Sequence, residues 1–548
     1  MNAALLLVIG IGAFFIAYVT YGRFLAKKWG IDACRPTPAH TLRDDVDYCP
    51  ADAKVILGHH FSSIAGAGPI TGPIQAIIFG WLPVYLWVVI GSIFFGGVHD
   101  FGSIFASLRH DGKSIGEVVR QNIGQTGKLL FNLFSWLALV LVVAAFADIC
   151  AGTFAYDPAN PNNLTGAMAG TASVLFILLA VLFGIFVYRK NANIVVSTII
   201  GVAALFFCIW IGYTFPILTL SKTAWIVVVL LYIVVASVMP VWILLQPRDY
   251  LCSFLLYAVL IGAVAGIFIE HPTLQMDAFT SFAVNDGKAV QYLFPILFIT
   301  VACGAISGFH SLVGSGTTSK QINKESDAKL IGYGAMLIEG IVAIVTIIAV
   351  AYTAVQVDGT PAVRFAAGVS EFMAGFGLPK EVGMVFIILA FSAFALTSLD
   401  TATRIARYMF QELMGKGEKK DQPQFQRFLQ KPVVGTVVTV GCAGLLMLYG
   451  YDKIWPIFGA SNQLLAGLAL LALTAWFART GRGVLPTAIP MVIMFAVTLT
   501  ALVMLAKSFY GAGNILMGSI ACVLLILAVV LILTTVRSMS KKDVRLER

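Results

Sequence analysis

Charge is what this sequence has least of. Of 548 residues only 11% are Asp, Glu, Lys or Arg, whereas 59% are hydrophobic and the mean hydropathy is +0.90. A soluble globular chain carries about 25% charged residues, so too few polar side chains are present to cover a surface in water. That shortage excludes a soluble enzyme, a nucleic-acid binder and a disordered scaffold. The net charge of +9 does not reverse this, because the basic residues sit in short blocks between apolar runs. Also missing is any GxxxxGK[ST] phosphate loop, or a polar stretch long enough to fold around one, which excludes an ATP-driven pump. The longest polar stretches are 25–54, 104–127, 270–290, 357–379 and 408–432. No disulfide framework is legible: Cys150, Cys208, Cys252, Cys303, Cys442 and Cys522 lie in or beside apolar runs, and Cys34 and Cys49 share one polar loop. The apolar N-terminal stretch, Met1 to Phe24, has no basic n-region, and its positive charges, Arg23, Lys27 and Lys28, come only at or beyond its far end, so it reads as a spanning helix rather than a cleaved signal.

What is abundant is apolar sequence of membrane-spanning length. A bilayer core of about 30 Å needs about 20 apolar helical residues. Fifteen candidate spans meet this, at 3–24, 55–78, 82–103, 128–154, 165–188, 191–216, 224–246, 250–270, 291–312, 328–356, 380–407, 433–450, 455–478, 484–506 and 514–537. Placing alternate connections on opposite sides leaves six of the 36 Lys and Arg residues on one side: Lys222, Lys288, Arg364, Lys380, Lys453 and Lys507. Positive charge accumulates inside, so the N-terminus is expected outside and the C-terminus, with its basic tail, in the cytoplasm.

The pattern breaks in span 2, where Pro69, Pro73, Gly66, Gly68 and Gly72 share one crossing with Ser62, Ser63 and Thr71. Proline removes an amide donor and glycine permits unwound backbone. In hydrocarbon such a break is tolerated only inside protein or beside a watery cavity. It reads as a kinked, closely packed helix or as a discontinuous helix lining a binding site, and the second is favoured. Span 7 carries a similar step, Ser237-Val238-Met239-Pro240, five spans later and so in the opposite direction. Two interrupted helices at matching places in opposed halves are the mark of inverted-repeat transporters. The repeats are then 55–222 and 223–410, preceded by a helix and loop (1–54) and followed by accessory helices (411–548). A rival register pairs span 2 with span 9, since Ser63 to Gly68 resembles Ser311 to Gly316. Free amides at half-helix ends favour a carboxylate. Ser62, Ser63, Gly66, Gly68, Thr71, Ser237 and Met239 are therefore the candidate substrate-binding residues.

Ionisable groups at membrane depth cost about 2.5–3.5 kcal/mol each and are functional candidates by default. Glu339 lies mid-span without a local partner. His310 stands beside Ser307 and Ser311, and histidine is the residue type whose ordinary range suits proton coupling. Asp400 is followed at i+4 by Arg404, a spacing that makes an ordinary helical ion pair. These three are the candidate coupling residues; His60, Asp100, Ser307 and Ser311 are further candidates. Asp148 is either a solvated helix end or a transport residue. His59, His60, His99 and His310 have no spacing that specifies a metal, so neither metal nor cofactor is expected.

The blocks His59 to Pro73, Gly97-Val98-His99-Asp100-Phe101, Gln246-Pro247-Arg248-Asp249-Tyr250-Leu251, Gly304 to Ser311, Gly316-Thr317-Thr318, Leu399-Asp400-Thr401-Ala402-Thr403-Arg404 and Ala460-Ser461-Asn462-Gln463-Leu464 resemble the carbon starvation protein A (CstA) family. They span most of the chain, which departs from the family in being shorter. The resemblance implies an all-α, multi-pass transporter of peptides or pyruvate in a bacterial inner membrane, induced on nutrient limitation, and not an enzyme. It also implies kinship with the amino acid–polyamine–cation superfamily, whose leucine-transporter-like ten-helix core has discontinuous first and sixth helices. The Val238-Met239-Pro240 step is similar to the broken sixth helix of metal-ion transporters on that fold. The leading expectation is proton-coupled uptake of a small carboxylate-bearing nutrient. The alternatives are a sodium-coupled amino acid carrier, a channel or a nutrient sensor.

Overall fold

A bilayer offers the backbone no hydrogen-bond partners, so each crossing must satisfy its amides and carbonyls along its own helix. The computed structural model describes residues 2–540 except 45–46, 162, 190–191, 241, 286–289, 354–358 and 416–422. Among these residues eleven helices are long and apolar enough to cross a membrane. Shorter apolar helices run Gly68–Phe79, Lys222–Val238 and Pro432–Met447. The chain is an all-α multi-pass membrane protein, with one small hairpin of Ala283–Asn285 against Val290–Tyr292. The apolar stretch of the Lys453–Arg479 helix is buried along its length, whereas Ile194–Thr214 leaves Val195, Ile199 and Phe207 uncovered for lipid. The centre of the bundle is built on the long helices Gln125–Phe154 and Lys380–Met414, which pack extensively on each other. The end of the basic tail, 541–548, lies outside the described residues.

Span 2 is discontinuous. One helix, Ala53–Ile64, stops at Ala65, and a second, Gly68–Ala76, starts after two further residues. Pro69 sits in the first turn of the second half, where its missing amide costs nothing. Ser398 Oγ donates to Ser63 O (3.1 Å) across the break.

The interruption facing it is in span 9, not in span 7. The Leu293–Thr300 helix ends at Val301, and Gly308–Gly316 begins only after an unwound 301–307 segment. The two breaks touch: a Cβ on Gly68 would lie 2.3 Å from Cys303 Sγ. The freed carbonyls find donors on neighbouring helices. Val301 O accepts from Trp87 Nε1 and Gln463 Nε2 (both 3.3 Å), and Gly304 O accepts from Ser92 Oγ (3.1 Å). Asn462 Oδ1 accepts from the Phe309 amide (2.9 Å), and its Nδ2 donates to Ser307 Oγ (3.0 Å). These side chains do what water would otherwise do for an unwound backbone.

The Val238-Met239-Pro240 step of span 7 is a helix end rather than a mid-helix break. Lys222–Val238 stops there, and the next helix, Leu245–Glu270, begins after a turn. Proline signals a stop as readily as a kink, which is why the two look alike in sequence.

Candidate functional site

The first break carries the small residues singled out above. Gly66 faces Ser398, with so little space that a Cβ would meet its Oγ at 2.1 Å. Ser62 Oγ and Thr71 Oγ1 are buried without a hydrogen-bond partner. Thr71 lines a cavity of about 270 Å³ with Gly152, Thr360, Phe391 and the ion-paired Asp148 and Lys222 (3.0 Å). Asp148 is thus neither a bare helix end nor isolated.

Beside the second break lies a chain of buried ionisable groups. His99 Nδ1 is 2.7 Å from Asp100 Oδ1, and Asp100 Oδ2 is 2.9 Å from His310 Nδ1. The other nitrogen of His310 faces Glu339 Oε2 at 3.5 Å. All four side chains are fully buried, and neither Glu339 oxygen has a hydrogen-bond donor. A histidine with one nitrogen on each of two carboxylates can pass a proton between them without changing place. Among the described residues no three His, Cys, Asp or Glu groups converge as metal ligands.

A second charged cluster occupies another face of the Ala53–Ile64 helix. Asp249 Oδ2 accepts from Ser63 Oγ (3.1 Å) and lies 3.2 Å from His59 Nδ1. Its neighbour Arg248 pairs with Asp400 and donates to Tyr232 OH (2.9 Å), which in turn donates to Asp400 Oδ2 (2.6 Å). Asp400 therefore does not pair with Arg404, as the i+4 spacing suggests. Arg404 donates instead to Met239 O (2.9 Å), because the tertiary partner Arg248 reaches the carboxylate first.

The structure thus brings Gly68 against the second break, sets Ser63 and Gly66 against Ser398, and joins Asp100, His310 and Glu339 in one chain. His60 bonds Thr318 Oγ1 (2.9 Å), and Ser311 Oγ donates to Gly308 O (2.7 Å). Ser237 and Met239 are held elsewhere, Ser237 by Thr436 (3.1 Å) and Met239 by Arg404. Sequence reasoning gave no site role to Arg248, Asp249, Ser398, Tyr232 or Asn462. An adjacent Arg-Asp pair beside proline was the available signal, and it reads equally well as a cytoplasmic loop charge.

Two unwound helices packed on each other, with buried ionisable groups around them, are the arrangement of the leucine-transporter-type fold. A crystal structure of an Eremococcus coleocola manganese transporter matches 91% of this chain and 99% of its own, with a TM-score of 0.50 at 10% identity, a likeness of fold alone. The sequence model of carbon starvation protein CstA matches residues 2–358 and 350–501, and the chain belongs to that family. It is similar to the peptide transporter CstA of Bacillus subtilis, 33% identical over 98% of this chain and 97% of the relative. It is also similar to the pyruvate/proton symporter BtsT of Escherichia coli, 31% identical over 86% of this chain and 77% of the relative.

Proposed function

We propose that this chain is a proton-coupled secondary transporter that takes up small carboxylate-bearing nutrients, short peptides or pyruvate, across a bacterial inner membrane under carbon limitation. The observation that carries the reading is the buried Glu339–His310–Asp100 chain beside two touching helix breaks. It supplies titratable groups at membrane depth where the unwound backbone supplies a binding site. The names of the two relatives supply the substrate classes. Substrate sits at Ser62, Ser63, Gly66, Gly68 and Thr71 of the first break, facing Ser307 and Ser311 of the second, and Glu339 with His310 handles the proton. The touching breaks favour repeats that begin at Ala53 and Leu293 and end near Glu270 and Arg479, with the Thr165–Thr214 hairpin inserted in the first. The N-terminus is outside and the C-terminus cytoplasmic in a fifteen-span topology, following the basic residues.

The test is uptake into proteoliposomes of labelled pyruvate and labelled di- and tripeptides under imposed pH or Na⁺ gradients. A pH gradient should drive accumulation. Glu339→Gln and His310→Gln should lose that drive and keep exchange of labelled for unlabelled substrate. Accumulation by both variants under a pH gradient would refute the assignment and move the reading to Na⁺ at the hydroxyls.

A further inference from the structure

We propose that Arg248 is the anchor for the substrate carboxylate, and that Asp400 occupies it as an internal stand-in until substrate displaces it. The inference rests on the carboxylate-transport reading above.

Arg248 is 2% exposed and Asp400 1%. A buried ion pair is weak support for a fold, since apolar residues of the same size serve stability as well or better. Two such charges buried inside a membrane protein therefore call for another use. The pairing itself is incomplete. A guanidinium holds a carboxylate best through two parallel bonds, yet here one carboxylate oxygen takes both Arg248 Nη1 and Tyr232 OH. Asp400 Oδ1 and Arg248 Nε are buried without any hydrogen-bond partner. The fork is half used, and the idle donor is of the kind a second carboxylate takes.

The place suits the role. Asp249, next to Arg248, bonds Ser63, and Ser398, two residues before Asp400 on the same helix, bonds the Ser63 carbonyl and abuts Gly66. The guanidinium is thus tied through neighbouring residues to the first helix break, where substrate is proposed to sit. When a substrate carboxylate takes Arg248, the displaced Asp400 is left as an uncompensated buried anion. It then takes one proton from a hydronium ion of the solvent, whose O–H bond breaks to leave water as a new O–H bond forms on the carboxylate oxygen that Arg248 gives up. When substrate leaves, that proton is released and the internal pair re-forms. The charged and titratable groups around Asp400 are Tyr232 from Lys222–Val238, Arg248, Asp249 and Cys252 from Leu245–Glu270, and Cys150 from Gln125–Phe154. On its own helix Arg404 lies one turn on, turned to Met239.

Binding of labelled pyruvate and of labelled dialanine to the purified full-length protein, from acidic to mildly alkaline pH, tests this. Wild-type affinity should weaken as pH rises, because ionised Asp400 competes for Arg248. Asp400→Asn should bind with little pH dependence, and about tenfold tighter than wild type at the alkaline end if Arg248 is free about a tenth of the time there. Arg248→Gln should lose binding at every pH. Since a lone buried charge can unfold the protein, the neutral pair Arg248→Gln/Asp400→Asn is the control. It should melt like wild type and still fail to bind. Wild-type affinity in that double variant, or an unchanged pH profile in Asp400→Asn, overturns the assignment. If wild type binds neither carboxylate, the transport reading itself falls, and this assignment with it.

Discussion

Replacing Gly66 by alanine puts a methyl group where Ser398 already stands. A Cβ built there lies 2.1 Å from Ser398 Oγ and 2.8 Å from Ser398 Cβ. The hydroxyl can rotate away, but it then gives up its bond to Ser63 O, worth about 0.5–1.5 kcal/mol. The Ser398 Cβ has no such freedom, so the Lys380–Met414 helix or the break itself must move, an overpacking cost of about 1–3 kcal/mol. The sum, about 1.5–4.5 kcal/mol, falls on the state in which the break is seated against that helix. Gly66→Ala should lower the melting temperature of the detergent-solubilised protein and abolish uptake, while the protein still reaches the membrane. Ser398→Gly removes both colliding atoms, so Gly66→Ala/Ser398→Gly should recover most of the stability, with a coupling of about 1–3 kcal/mol between the sites. A double variant as destabilised as the two single losses combined would refute the reasoning.

Membrane-impermeant maleimide should label Asn285→Cys in intact spheroplasts and reach the exposed native Cys34 only after permeabilisation; labelling of Cys34 from outside would reverse the topology. Asn462→Ala should cost about 1–3 kcal/mol in thermal unfolding, because the buried Phe309 amide loses its acceptor. At Glu117 burial pushes the carboxyl up, but hydrogen bonds from Arg120 and Lys128 bring it down to about 2 from its ordinary 4.5. A depressed folded-state value means the stabilisation is complete above the ordinary value and disappears as pH falls towards about 2. The melting temperature should therefore drop over that interval, and less steeply in Glu117→Gln.

The first break was legible because Pro69 and Pro73 announce themselves inside an apolar run. The second surfaced only as the rival register, through the likeness of Ser63–Gly68 to Ser311–Gly316, because its unwound segment, 301–307, holds no proline and reads as small-residue packing, while Pro240 advertises what is only a helix end. Glu339 and His310 stood out as polar residues at depth, but that they meet is a fact about two helices and not about spacing. Arg248 illustrates the limit most sharply. Counting it as a loop charge helps assign the membrane side, yet its burial against Asp400, 152 positions away, leaves no local trace.

His59 and His60 are consecutive, and consecutive helical side chains point about 100° apart. One therefore reaches Asp249 while the other reaches Thr318, on different neighbours of the same twelve-residue rod. A rod of this kind has no joint between its two contacts. Any swing or roll that loosens one histidine from its partner must also shift the other, so the Asp249 and Thr318 contacts are geared together and neither can be reset alone.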